Sequence, residues 1–395
     1  MDLHIPNGFL FSSTTAGIKA SGRPDLALAL APKGASAAAV FTSNQVVAAP
    51  VIVGRENLRA SNGNVHALIV NAGNANCATG ASGIKAAKAV CRKVARAIQS
   101  KPMQVFPSST GIIGVPLPVE KIIAAIPNLI ATAQAGAGAL NSFANTILTT
   151  DTRSKLVSAE LTHKGIKVRL AGVAKGAGMI HPNMATMLVY IFTDVVATQR
   201  ELQTALKSVV DQSFNNISID GDTSTNDTVL LLASGQSKVQ IKAIRKEFER
   251  TLLDICKSLA QQIVADGEGV KHVVHLKIEQ ARNTTEARKI AGTIATSPLV
   301  KTAWAGADPN WGRILATIGR SDVKVDAARI SIYLGDQQIF RQGTASSFDH
   351  QRAHRYMSQP DYEIRITLGA GKASLEFLSC DLTAEYVHIN ADYST

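Results

Sequence analysis

The chain has little of what would place it in several common classes. Its four cysteines, Cys77, Cys91, Cys256 and Cys380, lie far apart and form no CxxC pair. They read as buried thiols rather than as bridges, metal ligands or a redox pair. The nine histidines form no HExxH, and His272 and His275 have no acidic or cysteine companion at metal-site spacing, so no metal is expected. No window approaches the roughly 18 continuous apolar residues of a membrane span. The opening MDLHIPNGFL lacks a basic region followed by an apolar stretch. A soluble, cytoplasmic protein without membrane association is expected. Lys and Arg outnumber Asp and Glu by 41 to 30, giving a formal charge of +11. Yet they occur in no block of five or six, beside no RNA-binding aromatic signature and at no zinc-finger spacing. The excess reads as a solvated surface that draws in acidic small molecules, and nucleic acid is not expected as a partner.

What is present is a globular balance: 46% hydrophobic, 18% charged and only 5% aromatic residues over 395 positions. That suits cores of small aliphatic side chains in two or three domains of about 150 residues. Strands are expected at 25–30, 37–42, 65–70, 103–106, 187–192 and 228–233, and as a pair, 155–161 with 167–173, around His163-Lys164-Gly165. Further strands are expected at 273–278, 329–334, 362–368, 373–378 and 384–389. The stripe Ile84, Ala87, Cys91, Val94 and Ile98 predicts a helix over 81–99. A longer helix carries Ile241, Ile244, Phe248, Leu252, Ile255, Leu259 and Ile263 on one face, and others are expected at 119–133, 139–148, 199–212, 285–295 and 311–318. Alternating strands and helices with antiparallel-looking strands near both ends indicate an α/β fold, a layered sandwich with mixed sheets.

The chemistry centres on 175–194, KGAGMIHPNMATMLVYIFTD. Gly176, Gly178, Pro182 and Asn183 prevent regular structure, and a β-branched and aromatic run follows. Thr186 sits where the loop feeds the strand. A cut just before it would put a hydroxyl and a free α-amine on one residue. The amine, titrating at about 7.7–8.0 against about 10.4 for a lysine, could serve as base. Taken alone, Thr186 is an ordinary strand-entry threonine. Likewise PSSTG from Pro107 is a turn after a strand, Lys175 a surface lysine, and Glu268 an acid between two helix-ending glycines. The block DGDTSTND from Asp220 has a metal-loop composition without EF-hand spacing, and is read as a hydrogen-bonded loop near the site.

Nine blocks together change that balance: GIKASGRPDLAL from Gly17, VNAGNANCATG from Val70, PSSTGIIG from Pro107, LTTDTRSK from Leu148, KGAGMIHPNMATML from Lys175, DGDTSTNDTVLLLASG from Asp220, ADGEGVKH from Ala265, ADPNWGRILATIG from Ala307 and the closing EYVHINADYST. In this order they resemble the ornithine acetyltransferase family, also called glutamate N-acetyltransferase, of the cyclic arginine pathway. The resemblance spans essentially the whole chain, with Ala177 and His181 standing where Ser and Ala are common. It implies a sheet-and-helix sandwich similar to N-terminal-nucleophile hydrolases but with its own connectivity. It also implies self-cleavage between Ala185 and Thr186, giving an α chain of residues 1–185 and a β chain of residues 186–395. In the implied ping-pong reaction N-acetylornithine acylates Thr186, ornithine leaves, and glutamate accepts the acetyl group as N-acetylglutamate. No cofactor is implied; acetyl-CoA as a second donor stays open. By resemblance Thr110 and Gly111 form the oxyanion hole, and Thr152, Lys175, Glu268, Asn390 and Thr395 bind substrate, Glu268 receiving ornithine's ammonium. The implied assembly is a tetramer of two α and two β chains. The competing reading is a self-processing amidohydrolase or aminopeptidase with water as acceptor; the residues that would hold an amino-acid acceptor separate the two.

Overall fold

Two runs, Leu188–Thr193 and Thr228–Ala233, are buried at every position. Strands of that kind belong in the middle of a sheet covered on both faces. The computed structural model describes residues 3–181 and 187–392. Its first sheet contains β1 (Leu10–Thr14), β2 (Leu26–Phe41), β3 (Asn64–Asn74), β4 (Val105–Ile112), β5 (Lys155–His163), β6 (Ile166–Lys175), β7 (Leu188–Thr193) and β8 (Thr228–Ala233). Their order is β4-β3-β2-β8-β7-β6-β5, with β1 pairing β2 outside that path. The β3–β4 and β7–β8 pairs are parallel; β5–β6, β6–β7 and β2–β8 are antiparallel. Strands from after residue 186 are therefore inserted between strands from before it.

Alternation along β7 sorts the layers. Val189 and Ile191 face a core that includes Leu206 and Val209 of helix Gln199–Asp211, and Leu252, Leu259 and Ile263 of helix Arg245–Ala265. Leu188, Tyr190 and Phe192 point the other way, to Leu140 and Phe143 of helix Ala137–Thr146. There Phe11 and Phe192 meet edge to face at 5.0 Å. Thr198 and Glu201 close a reciprocal cap at the start of helix Gln199–Asp211, which fixes where that helix begins. The second sheet contains β9 (Val273–Ala281), β10 (Ser331–Leu334), β11 (Gln337–Arg341), β12 (Thr344–Ala345), β13 (Asp361–Thr367) and β14 (Ala373–Cys380), in the order β12-β11-β10-β13-β9-β14. Only β9–β13 is parallel, and helices Thr284–Ala295, Pro298–Ala305 and Trp311–Gly319 share its core. Both sheets mix parallel and antiparallel pairs, as an α/β sandwich with mixed sheets requires.

Five expectations need correction. The segment 107–111, read as a turn after a strand at 103–106, lies inside β4 (Val105–Ile112), and 103–104 belong to the 3-10 turn Pro102–Gln104, because pairing with β3 carries the strand through Pro107 to Gly111. The long helix expected to carry Ile241 and Ile244 is the α-helix Arg245–Ala265, with Ile241–Ile244 forming a 3-10 turn before it. Residues 384–389 are not a strand but part of helix Ala384–Asp392, which buries no side chain. The alternating Tyr386, His388 and Asn390 mimic a strand, but Ala384 and Glu385 favour a helical first turn and no sheet edge receives the segment. The strands expected at 25–30 and 37–42 are one strand, Leu26–Phe41, whose pairing shifts register between Leu30 and Ala35. Among the first 75 residues, expected to hold only strands, lies helix Ala49–Ala60. Val51, Gly54 and Leu58 form its buried stripe, and a side chain at Gly54 would press on the Phe106 ring at 3.0 Å.

Candidate active site

The cleft lies where the ends of β4 and β6 meet several loops and helix Ala384–Asp392. β4 delivers Thr110 and Gly111. Gly111 has φ +130°, and a Cβ there would sit 2.3 Å from the carbonyl carbon of Gly73 on the paired strand. Only glycine fits, because the two backbones touch. β6 ends at Lys175, buried and paired with Leu188 across to β7.

The 220–227 loop ties these parts together. The carboxylate of Asp220 accepts the backbone N–H groups of Met179 and, at 2.9 Å, of Ile180, shaping the glycine-rich loop after Lys175. The Asn226 amide donates to the carbonyls of Ala75 at 2.7 Å and Ser109 at 2.9 Å, fixing the strand end that carries Thr110. Asp227 accepts the Met187 N–H at 2.9 Å. From the other side, the Glu268 N–H donates to the Ala177 carbonyl at 2.9 Å, and its carboxylate accepts the Asn390 amide at 2.9 Å. A Cβ on Gly178 would lie 2.6 Å from that carboxylate, so a bare glycine makes room for Glu268.

The result is a cleft of about 230 Å³ lined by Thr110, Gly111, Lys175, Glu268 and Asn390 among others. These five expected residues come together from segments far apart in sequence. Thr152 is not with them. Its hydroxyl and N–H both donate to the buried Asp266, while Thr149 and Thr150 line the cleft. Ala185, Thr186 and Thr395 lie outside the described residues. Asp220, Asn226, Asp227 and Tyr386 were not singled out from sequence. The composition of the 220–227 block signalled a loop near the site but not its partners, and the strand reading of 384–389 concealed Tyr386.

Burial governs the electrostatics. It lowers the proton affinity of the Lys175 ammonium, opposed by the charges of Asp151, Glu268 and Asp227. Burial alone would raise Asp151, but Lys175 and Lys155 outweigh it and, with the Gly176 N–H at 2.6 Å, hold that carboxyl below the usual range. Lys155 is fully buried, 2.7 Å from Asp151 and 2.6 Å from Asp266. Burial also pushes Asp220 up to about 6 and Asp227 well above the usual carboxylate range. The cleft therefore combines a desolvated cation, acids of shifted affinity and a glycine-bearing strand end, which suits an amino-acid substrate undergoing acyl chemistry. A larger groove of about 1400 Å³, between helix Arg245–Ala265 and β14, contains none of the expected residues that are described.

Comparison with known proteins agrees over the whole length: the ArgJ family profile matches residues 10–395. The chain belongs to the ArgJ family. It is 41% identical over 396 residues to the arginine biosynthesis bifunctional protein ArgJ of Dehalococcoides mccartyi, covering 99% of this chain and 96% of that one. The ArgJ protein of the same designation from Thermus thermophilus is 42% identical over 396 residues, covering both chains completely. A crystal structure of the Bacillus halodurans arginine biosynthesis bifunctional protein, 37% identical with a TM-score of 0.50, covers 52% of this chain and 98% of its own. Among the described residues no group of three or more His, Cys, Asp or Glu could hold a metal ion, and no helix is long and apolar enough to cross a membrane.

Proposed function

We propose that this ArgJ-family chain transfers acetyl from N-acetylornithine to glutamate through an acetyl ester on Thr186, after cutting itself between Ala185 and Thr186. The observation that carries this reading is the convergence of Thr110, Gly111, Lys175, Glu268 and Asn390 on one polar cleft, beside the glycine-rich loop that leads to Thr186. In maturation the Thr186 hydroxyl adds to the Ala185 carbonyl carbon, the C–N bond breaks, and the freed amine takes the hydroxyl proton. Water then opens the ester, leaving a carboxylate at Ala185 and a free hydroxyl at Thr186. In the first half-reaction that hydroxyl attacks the acetyl carbon while the Thr186 α-amine takes its proton and passes it to the departing ornithine nitrogen. In the second, the glutamate amine attacks the ester and N-acetylglutamate leaves. Thr110 and Gly111 donate to the oxyanion, a donor of this kind being worth about 3 kcal/mol. Lys175 meets the substrate carboxylate, and Glu268, steadied by Asn390, meets its amine. Thr152 acts through the 149–152 segment, and Thr395 binds substrate, as the family resemblance implies.

Support for the cut comes from the solved Bacillus halodurans chain, nearly all of which aligns with about half of this one, as one product of a mid-chain cut would. The relatives' designation as bifunctional favours acetyl-CoA as a second donor to glutamate. The mature form is a cytoplasmic α2β2 assembly of residues 1–185 and 186–395, needing no cofactor. The test is an assay of purified protein with N-acetylornithine plus glutamate beside acetyl-CoA plus glutamate. Denaturing electrophoresis should show two chains, the second beginning Thr-Met-Leu-Val, and Thr186→Ala should stay a single inactive polypeptide. A wild-type enzyme that remains intact yet fully active would sink the nucleophile assignment; release of acetate without N-acetylglutamate would favour the hydrolase.

A further inference from the structure

Asp227, the last acid of the 220–227 loop, is completely buried immediately before β8. Its Oδ1 accepts the Met187 N–H at 2.9 Å; its Oδ2 is buried with no well-formed hydrogen bond among the described residues, Lys175 and the Ser224 hydroxyl favouring its charged form. The Met187 carbonyl in turn accepts the Thr228 N–H at 3.2 Å, so residue 187 is clamped at both of its peptide groups. The clamp stands on a rigid frame. The Asp227 carbonyl accepts the Thr42 N–H at 3.0 Å, and the adjacent Asn226 amide holds Ser109, the residue before Thr110. One dipeptide thus links the strand bearing the proposed oxyanion donors to the amide that directly follows Thr186. A structural reading, a buried acid serving only to satisfy one strand-end N–H, leaves unexplained why a carboxyl with an unmatched oxygen is kept where an apolar residue and a water-free turn would cost less.

We propose that Asp227 is the positioning residue of the N-terminal nucleophile: by holding the amide of residue 187 it fixes the strand end that directly follows Thr186 in the chain relative to Thr110 and Gly111, both for self-cleavage and for acetyl transfer. This rests on Thr186 being the nucleophile. Positioning matters because a displacement of about 1 Å at a reacting group costs about 100-fold in rate. The acceptor oxygen, rather than the charge, does the holding. Burial drives the carboxyl toward its neutral form, against the Met187 N–H, Lys175 and Ser224, and asparagine is a near-isostere of that form.

The test compares full-length Asp227→Asn, Asp227→Ala and wild type for the time course of chain cutting, for kcat and KM with N-acetylornithine and glutamate, and for thermal melting. Asp227→Asn should cut and turn over within about threefold of wild type. Asp227→Ala should slow cutting and lower kcat by about 10- to 100-fold in its folded fraction, with KM within about twofold. A merely structural role would lower the melting temperature and the yield of folded protein but leave kcat of the cut, folded fraction unchanged, and that result overturns the proposal. So does an Asn variant as impaired as the Ala variant, because charge would then be the active element. Should the Ala variant not fold, Asp227→Ser, with a shorter acceptor, takes its place under the same criteria. A wild type that neither cuts nor transfers overturns the nucleophile assignment instead, which separates the two failures.

Discussion

The two sheets use polar groups in opposite ways. In the first, the central strands are sealed on both faces, and charge appears inside the protein: Lys155 lies between Asp151 and Asp266 with no exposure, and Lys175, Asp220 and Asp227 gather at the strand ends. In the second, burial alternates along β9 and β13, and one face carries partly exposed ion pairs, such as Lys277–Glu279 at 3.5 Å and Arg365–Glu279 at 3.7 Å. Its strands contribute nothing to the cleft; only the loop before β9 and the helix after β14 reach it. A buried ion pair is poor value for stability, because desolvation cancels much of its attraction. Where it is kept, holding groups in place is the better explanation. The Lys155 cluster joins the 149–155 segment to the end of helix Arg245–Ala265, just before Glu268, and through Gly176 to the loop after Lys175.

The largest test of this contrast is a matched pair of lysine substitutions. Lys155→Met should destabilise the protein by about 3–5 kcal/mol, because two buried carboxylates lose their shared cation. Lys277→Ala should cost about 0–1 kcal/mol, as exposed pairs do. Equal shifts in urea midpoint would erase the distinction. A smaller effect should follow Asp220 in pH. Its folded carboxyl titrates near 6 against 3.8 in the unfolded chain. Both states are protonated only well below pH 3.8; as pH rises through 3.8 toward 6 the unfolded state ionises first, so stability at this group is lost over that window. Asp220→Asn should remove that slope, on the order of 2 kcal/mol, when urea unfolding is compared at pH 4 and 6. An unchanged slope would mean that the acid is solvated. The smallest effect concerns two buried tyrosines. The Tyr190 hydroxyl donates to Ser108 at 2.7 Å, whereas the Tyr362 hydroxyl is buried without a partner among the described residues. Tyr190→Phe should cost about 1 kcal/mol and Tyr362→Phe nothing or less, measured by the same unfolding curves.

Local patterns carried the elements whose reasons are local. The all-apolar runs of β7 and β8 and the stripe Ile84, Ala87, Cys91 and Val94 appear where periodicity places them, and β5 and β6 pair around Lys164-Gly165, both at positive φ as a tight hairpin turn needs. Helix Ala384–Asp392 escaped because β-branched Val387 and Ile389 imitate strand alternation over so short a stretch. At the site, glycine loops and hydroxyl clusters marked the right neighbourhood. Which hydroxyl of the 149–152 cluster faces the cleft was not legible, because the choice is made by Asp266, 114 residues away from Thr152. The clamp on Met187 was equally hidden, since its acceptor is 40 residues downstream.

The interleaving of β8 and β7 between β2 and β6 has a consequence for how the protein could recover from denaturation. A chain severed between residues 185 and 186 keeps every rung of its ladder, because the β2–β8 and β6–β7 pairs stitch the two pieces through the middle of one sheet. Once melted apart, however, the pieces no longer share a tether. The intact chain meets itself at an effective concentration on the order of millimolar and refolds as a first-order process. The severed pieces must find each other by diffusion, at a rate that rises with their concentration, while each exposes the unpaired edges that seed aggregation. The same cut that frees a terminal amine would make folding an event the molecule completes once.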